Sequence, residues 1–119
     1  IRVCVISREG SPAVAARMNK LGIEDYFPGV LNKRTFLEEK LRSWGITFND
    51  IGYMGDDLPD LECVVSAGVS FSPSDAVPEI LEAVDYVSSR PGGAGAVREV
   101  TDLIVASLID SSVAGLDQA

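Results

Sequence analysis

Short apolar runs alternate with amphipathic helical segments along this chain, and that alternation is the strongest constraint on its fold. Buried strands are predicted where β-branched and aromatic residues concentrate, at residues 3–6, 51–54, 69–71 and 86–87, with an extended segment at 26–30. Strands that take turns with helices favour a parallel sheet, because each helix carries the chain back to the same edge. We therefore expect an α/β fold with an open, Rossmann-like, mostly parallel sheet flanked by helices.

Capping residues place the helices between these strands. Small polar residues are preferred before the first turn of a helix, and glycine is preferred just after the last turn. A final amphipathic helix is predicted after the Pro-Gly-Gly loop, from about residue 97. The predicted N-caps are Ser11, Asn32, Asp57 and either Ser74 or Asp75, and the predicted helix ends are Gly22, Gly45 and Gly68.

The length of 119 residues suits one domain with an apolar core. We assign residues 1–110 to that domain and predict that the small, polar segment 111–119 is a frayed tail. No apolar run approaches the roughly 20 residues that span a bilayer, and no signal-peptide pattern is visible. The two cysteines lack metal-binding spacing and lie in apolar patterns, which favours a reducing, cytoplasmic location.

The chain is acidic, with a formal net charge of −8, and contains no histidine. Without a cluster of Lys and Arg it is not expected to bind nucleic acid or an anionic membrane. The lack of histidine excludes His-based triads, HExxH zinc sites and a His general base, so acid–base chemistry falls to carboxylates. A phosphorylated small molecule can still bind an acidic protein when a divalent cation lies between them.

Three carboxylates lie within five positions directly after the predicted strand at 51–54. Ligands of parallel α/β sheets bind at the carboxyl ends of strands, which is where Asp56 and Asp57 fall. Oxygen donors of this density suit Mg²⁺, a cation that takes few protein ligands and keeps waters. A purely structural explanation is equally good for Asp57, which could be a helix N-cap. It is also available for Asp60, because an acid in the first turn interacts favourably with the helix dipole. Neither explanation accounts for the acid at Asp56.

Three weaker signals accompany this cluster. Ser7 follows the first strand, where a hydroxyl could bind a phosphoryl oxygen, although serine is also common in turns. Lys33 lies at the positive end of a helix dipole, which suggests either a nearby anion or a solvated surface position. The loop before the last helix allows a close approach to a ligand or is simply a flexible turn; its glycines are Gly92, Gly93 and Gly95.

In this order the signals resemble the haloacid dehalogenase superfamily, and most closely its capless branch of 3-deoxy-octulosonate 8-phosphate phosphatases and their relatives. The resemblance extends from Arg2 to about Val105. The matching motifs are a strand that ends in Ser7, the lysine of Val30-Leu31-Asn32-Lys33, the Gly-Asp-Asp-x-x-Asp motif from Gly55 to Asp60, and the glycine-rich tail that leads into Ala-Val-Arg-Glu at residues 96–99.

This resemblance implies a Mg²⁺-dependent phosphatase that hydrolyses a 2-keto-3-deoxy sugar-acid phosphate through a phospho-aspartate. It also implies that Ser7, Arg8 and Lys33 bind the transferring phosphoryl group and that Asp56 and Asp57 hold the metal. Catalysis of this kind is mainly positioning and electrostatic stabilisation.

The resemblance implies that Asp60 orients either the ligands around the metal or Lys33. Ser7, Lys33 and Asp60 would then be the catalytic residues of this segment. In relatives the glycine-rich tail reaches the active site of a neighbouring subunit. We therefore expect a homotetramer in which that tail loop comprises Gly92, Gly93, Gly95 and Arg98.

Two departures from the family pattern leave an alternative open. The Asp-x-Asp motif that carries the nucleophile does not occur in these 119 residues, so we expect it in a segment before Ile1 and expect this fragment alone to be inactive. Residues 6–9 and 12–17 look closer to the phosphatase-like module of acylneuraminate (CMP-sialic acid) cytidylyltransferases. The alternative function is therefore that of a non-catalytic oligomerisation module. A receiver-like signalling domain is disfavoured, because its acid pair should follow the first strand.

Overall fold

The computed structural model describes the backbone of residues 1–117 and the side chains up to residue 109. The chain divides into two compact units, Ile1–Gly45 and a second that begins at Ile46. Each unit has its own parallel sheet with helical crossovers, so the predicted α/β class is confirmed.

The first unit is a βαβα segment. Strand β1 pairs in parallel with β2, with Cys4 opposite Asp25 and Ile6 opposite Phe27. Helix α1 forms the crossover between them, as parallel pairing requires. The elements are β1 (Cys4–Ile6), α1 (Pro12–Lys20), β2 (Asp25–Phe27) and α2 (Lys33–Ser43).

Helix α2 contributes two buried apolar side chains to the first unit, Leu37 and Leu41. Its predicted cap is confirmed, since the Asn32 side chain accepts a hydrogen bond of 3.0 Å from the Thr35 amide. Ser11 precedes α1 in an extended conformation, but its side chain makes no capping bond. In the first unit, α2 therefore begins with a side-chain cap, whereas α1 begins with Pro12 at its first helical position and has no such cap.

The second unit has a three-stranded sheet in the order β3-β4-β5, with all strands parallel. A short 3₁₀-helix, Phe48–Asp50, leads into it, and a second one, Leu58–Asp60, follows β3. The remaining elements are β3 (Gly52–Met54), α3 (Leu61–Ser66), β4 (Val69–Ser72), α4 (Pro78–Ala83), β5 (Tyr86–Val87) and α5 (Ala96–Asp117).

The core of the second unit lies beneath the turn that follows β3. Val64, Ala76 and Ile80 are buried together, and Ile80 has no exposed surface. The Tyr53 ring of β3 and Leu61 of α3 pack against this cluster. Burial of a side chain such as Ile80 contributes about 2 kcal/mol, so the cluster fixes the position of every element that it touches.

Two predicted helix starts differ from those observed. The segment 58–67 begins as a 3₁₀-helix and becomes α-helical only at Leu61. The prediction of Ser74 or Asp75 as the cap of α4 is wrong, because that helix begins at Pro78 with Val77 before it. The Asp75 carboxylate instead accepts a hydrogen bond of 2.8 Å from the Gly92 amide, which ties down the glycine-rich loop.

Helix α5 extends to Asp117 and therefore includes most of the segment 111–119. Residues 118 and 119 lie outside the described residues, and fraying of the segment stays a prediction. Across the helices of the described part, none combines the length and the apolar character that a bilayer crossing requires.

The start of α5 is held to the end of β5 by the Glu99 carboxylate. It accepts hydrogen bonds from the Ser88 hydroxyl and from the Ser89 amide and hydroxyl, the last two at 2.9 and 2.7 Å. Bonds from Ser88 and then Ser89 lower the pKa of Glu99, because they favour its charged form.

This geometry predicts a pH dependence of stability. Because the folded-state pKa of Glu99 is lowered, its contribution is complete above the unfolded-state pKa of about 4.5 and is lost as the pH falls through the folded-state pKa. Glu99→Gln should lower the free energy of unfolding near neutral pH, and its difference from wild type should shrink in acid. Urea unfolding between about pH 3 and pH 7 measures this.

Glu82→Gln is the matched control, since the Glu82 side chain is exposed and makes no hydrogen bond among the described residues. A difference between Glu99→Gln and wild type that stays constant down to the lowest pH would contradict the assignment.

Candidate active site

The turn after β3 brings together the three acidic residues of the Gly-Asp-Asp-x-x-Asp motif. The Gly55 amide donates a hydrogen bond of 3.1 Å to the Phe71 carbonyl, which extends the pairing of β3 with β4 by one residue. The chain then leaves the sheet at the carboxyl end of the strand. Asp56 and Asp57 are exposed there, whereas Asp60 is only 4% exposed.

The buried Asp60 carboxylate organises this turn. Its Oδ1 accepts a hydrogen bond of 2.7 Å from the Tyr53 hydroxyl. Its Oδ2 lies 3.1 Å from the Asp56 amide nitrogen and 3.4 Å from the Asp57 amide nitrogen, and accepts from both. A buried carboxylate must gain donors to replace water, and here two donors are amides of the turn that it supports and the third is a hydroxyl of strand β3.

Asp57 is the N-cap of the 3₁₀-helix Leu58–Asp60. Its side chain accepts a hydrogen bond of 2.8 Å from the Leu58 amide, and together with Asp60 it forms a capping box. The capping interpretation of Asp57 is therefore observed. One carboxylate oxygen can cap while the other binds a ligand, so this arrangement leaves the predicted metal role of Asp57 as a prediction.

Asp56 differs from its two neighbours. Its side chain is exposed and has no hydrogen-bond partner among the described residues, while its carbonyl accepts a bond of 3.0 Å from the Val77 amide. The backbone of Asp56 is thus fixed by Asp60 on one side and by the start of α4 on the other. Its carboxylate is presented to solvent from a rigid support.

Gly55 is required by the position of Asp60. A Cβ atom at residue 55 would lie 2.5 Å from the Asp60 Cβ and 2.7 Å from its Cγ. The reason is therefore steric, since the backbone of Gly55 does not have a positive φ. The glycine of the motif makes room for the carboxylate that braces the turn.

The Tyr53 hydroxyl remains a hydrogen-bond donor at all physiological pH values. Burial, and then the hydrogen bond to Asp60, raise the pKa of Tyr53 well above its usual range. Sequence reasoning missed this residue, because an aromatic residue in a strand is usually read as core. The available signal was that a buried tyrosine hydroxyl normally needs a partner, and that an acid follows seven positions later.

The donor set of this turn fits a cation with few protein ligands. Within the described part of the chain, no three His, Cys, Asp or Glu side chains are grouped so that they could enclose a metal ion. Mg²⁺ commonly takes one or two carboxylates together with waters and substrate phosphate. The exposed Asp56 carboxylate meets that requirement, while both oxygens of the Asp60 carboxylate already accept hydrogen bonds, from Tyr53 and from the turn.

The predicted phosphate-binding residues lie in the first unit. Ser7 follows β1, as predicted, and its hydroxyl donates a hydrogen bond of 2.5 Å to the Glu9 carbonyl. Its amide donates to the Phe27 carbonyl at 3.0 Å, and its carbonyl accepts from the Val30 amide at 2.9 Å. These bonds hold the loop after β1 beside the segment that leads to α2.

Arg8 and Lys33 differ in exposure. Arg8 is exposed in the loop after β1, and Lys33 is the half-buried first residue of α2, where the sequence predicted a helix start. Their predicted roles in phosphate binding remain predictions.

The glycine-rich tail loop lies in the second unit and is shaped by two positive φ angles, 76° at Gly93 and 102° at Gly95. A Cβ atom at residue 95 would lie 2.9 Å from the Arg90 Cδ atom, so Gly95 also makes room for a side chain. Arg98 projects from α5 with 81% of its side chain exposed and pairs with Asp102 at 3.2 Å. An exposed pair of this kind adds little stability, which leaves Arg98 available to other partners.

No family model matches the chain. It is 39% identical over 113 residues to the 3-deoxy-D-manno-octulosonate 8-phosphate phosphatase KdsC of Haemophilus influenzae, covering 95% of this chain and 63% of that protein. A cobalt-bound structure of the H. influenzae phosphatase matches with a TM-score of 0.85, at 39% identity over 95% of this chain and 66% of that one.

The phosphatase of Moraxella catarrhalis, in complex with a magnesium ion, a phosphate ion and a KDO molecule, matches with a TM-score of 0.87 at 34% identity. That match covers 98% of this chain and 68% of the Moraxella chain. The chain thus spans about 63% of the length of the H. influenzae relative, and 56% of that of the Escherichia coli relative, to which it is 35% identical.

The steric role of Gly55 gives a testable prediction. Gly55→Ala should displace Asp60 and lower the free energy of unfolding of the complete protein by about 1–3 kcal/mol, a usual cost of overpacking. Hydrogen exchange at the Asp56 and Asp57 amides should become faster, because these amides lose their acceptor. Urea unfolding and amide exchange followed by NMR measure the two effects.

Gly92→Ala is the matched control, since a Cβ atom there would make only an ordinary contact of 3.5 Å with Asp75. If both variants behave alike, the close approach of Asp60 to Gly55 does not shape the turn.

Proposed function

The chain belongs to the haloacid dehalogenase superfamily, in the branch of the 3-deoxy-D-manno-octulosonate 8-phosphate phosphatases, and from this membership we propose that the protein hydrolyses the phosphomonoester of a 2-keto-3-deoxy sugar acid. The observation that carries this proposal is the turn after β3, in which an exposed carboxylate, Asp56, stands on a backbone braced by the buried Asp60. That arrangement is suited to a divalent cation and a phosphate at the carboxyl end of a parallel strand.

Mg²⁺ is the proposed cofactor, held in part by Asp56 and by the carboxylate oxygen of Asp57 that does not cap the 3₁₀-helix. Two relatives with matching folds are described with cobalt and with magnesium bound. When bound, the ion would offset the negative charge of the phosphoryl group and of the carboxylates. Asp60 acts as a positioning residue in this scheme, because one of its oxygens accepts a hydrogen bond from Tyr53 in β3 and the other accepts from amides of the turn.

The proposed reaction proceeds in two displacements. An aspartate attacks phosphorus, the ester P–O bond breaks, and a second aspartate two residues further on gives its proton to the departing alcohol. That second aspartate then accepts a proton from water, which attacks the phospho-aspartate, breaks its P–O bond and releases inorganic phosphate. No Asp-x-Asp occurs in these 119 residues, so the proposal assigns the nucleophile to sequence outside them.

Ser7, Arg8 and Lys33 are the proposed ligands of the transferring phosphoryl group. The Ser7 hydroxyl now donates to the Glu9 carbonyl and would turn to a phosphoryl oxygen when substrate binds. Lys33 supplies a positive charge at the first position of α2, and the exposed Arg8 supplies a second in the loop after β1. Donors and cations in such positions stabilise the charge that develops on the phosphoryl oxygens.

Removal of the exposed carboxylate tests the metal assignment. Asp56→Asn in the complete protein should reduce Mg²⁺-dependent phosphate release from 3-deoxy-D-manno-octulosonate 8-phosphate by roughly 100-fold or more, because a metal ligand is lost. Phosphate release at several Mg²⁺ concentrations, and after chelation with EDTA, measures this effect.

Glu79→Gln removes the same charge from an exposed position in the first turn of α4 and should leave the rate unchanged. Full activity of Asp56→Asn with unchanged Mg²⁺ dependence would overturn the assignment of Asp56.

The alternative is a non-catalytic oligomerisation module of an acylneuraminate cytidylyltransferase. The similarity of residues 6–9 to that module supports it, whereas the relatives described above are phosphatases and favour the catalytic function. A complete protein that forms a nucleotide-sugar product from CTP, and releases no phosphate from sugar-acid phosphates, would establish the alternative.

Both functions are compatible with a homotetramer, which we propose from the family resemblance and from exposed apolar residues on α5. Val97 is 64% exposed and Val105 is 51% exposed, although both are apolar. Sedimentation equilibrium should give four times the mass of the complete polypeptide, and Val97→Asp with Val105→Asp should shift the mass towards that of smaller species. A monomeric mass for the wild-type protein would contradict the proposal.

A further inference from the structure

We propose that Tyr53 is a positioning residue for the metal-binding turn, because its hydroxyl fixes the orientation in which the Asp60 carboxylate holds the Asp56 and Asp57 amides. This inference rests on the proposed function, since it assigns Asp56 to the metal. It concerns a residue that lies in strand β3 and not in the acidic motif itself.

The Tyr53 ring is a fixed support. It packs against the buried cluster of Val64, Ala76 and Ile80, so its hydroxyl has little freedom to move. Pairing of β3 with β4 places the Tyr53 backbone opposite Ser70, which fixes the position of the Tyr53 Cα atom. The hydroxyl therefore meets Asp60 at a position set by the core.

The two oxygens of Asp60 have different partners. Oδ1 accepts from Tyr53 at 2.7 Å, and Oδ2 accepts from the Asp56 and Asp57 amides at 3.1 and 3.4 Å. The hydroxyl bond has the usual length for an O–H donor, whereas the amide bonds are at and beyond the long end of the usual range for N–H donors. Without the Tyr53 hydroxyl, Oδ1 loses a buried hydrogen-bond donor. Rotation of the carboxylate away from the amides then becomes more favourable, because it lets Oδ1 reach another donor.

The consequence falls on Asp56. Its carboxylate makes no hydrogen bond within the described part of the chain, so its direction depends on the backbone of the turn. That backbone is held by the Asp60 carboxylate and by the Val77 amide. If the turn were more mobile, cation binding would have to order Asp56 and would lose conformational entropy. The affinity for the cation would therefore fall.

A purely structural role for Tyr53 makes a different prediction. In that case the hydroxyl only satisfies a buried acceptor, and its loss lowers the free energy of unfolding while the folded protein binds metal as before. Residues outside the ligand set that orient metal ligands typically change metal affinity roughly 10- to 100-fold when they are altered. Metal affinity of the folded protein therefore separates the two roles.

The experiment compares the complete wild-type protein with Tyr53→Phe, Tyr86→Phe and Asp56→Asn. Tyr53→Phe removes the hydroxyl and keeps the ring in the core. Tyr86→Phe is the matched control, because Tyr86 lies in β5 of the same sheet and its hydroxyl has no partner among the described residues. Mn²⁺ affinity is measured by electron paramagnetic resonance below the unfolding temperature, and the Mg²⁺ concentration for half-maximal phosphate release is measured separately.

We expect Tyr53→Phe to weaken Mn²⁺ binding by roughly 10-fold and to raise the half-maximal Mg²⁺ concentration in proportion. At saturating Mg²⁺ its KM for the sugar-acid phosphate should remain within about twofold of wild type, since Tyr53 acts on the metal-binding turn. Tyr86→Phe should match wild type in both measurements, and Asp56→Asn should lose most Mn²⁺ binding.

Failure of this inference and failure of the proposed function give different results. If Asp56→Asn loses Mn²⁺ binding while Tyr53→Phe binds as wild type does, the positioning role is wrong and the metal assignment stands. If Asp56→Asn also binds Mn²⁺ with wild-type affinity, the assignment of the metal to this turn is wrong, and the inference falls with it.

Discussion

The hydrogen bonds from the Asp56 and Asp57 amides to the Asp60 carboxylate are the interaction on which the acidic turn depends. They explain why residue 55 is glycine, since a larger side chain would occupy the place of Asp60. They also explain why a tyrosine hydroxyl is buried beneath the turn, because the second oxygen of the carboxylate needs a donor. Three features that look separate in the sequence thus have one physical cause.

The same interaction gives the three neighbouring acids different environments. Asp60 is turned inward and receives donors, Asp57 caps a 3₁₀-helix, and only Asp56 presents its carboxylate without a hydrogen-bond partner among the described residues. Hydrogen bonds from amides and a hydroxyl stabilise the charged form of a buried carboxylate. In this motif Asp56 is the residue available to bind a ligand, while Asp57 and Asp60 stabilise the turn that positions it.

Much of the fold could be predicted from the sequence, because strand and helix periodicity and capping are local properties. The parallel α/β class and the cap at Asn32 are confirmed. The prediction of either Ser74 or Asp75 as a cap is wrong, since α4 begins later and Asp75 accepts from the Gly92 amide, 17 positions away, a contact that no local pattern encodes. Tyr53 was missed for a similar reason, because its strand position is consistent with a purely apolar role. The clustering of the three acids is visible in the sequence. Which acid caps, which one supports the turn and which one faces solvent depends on side-chain directions, which the sequence does not show.

The location of the cation in the complete protein tests this account most directly. Crystals of the complete protein soaked in Mn²⁺, with anomalous scattering data, would show where the ion binds and which way Asp60 points. The account predicts an anomalous peak about 2.1 Å from a carboxylate oxygen of Asp56, with Asp60 still accepting from the Asp56 and Asp57 amides. An ion bound directly by Asp60, or bound away from this turn, would contradict it.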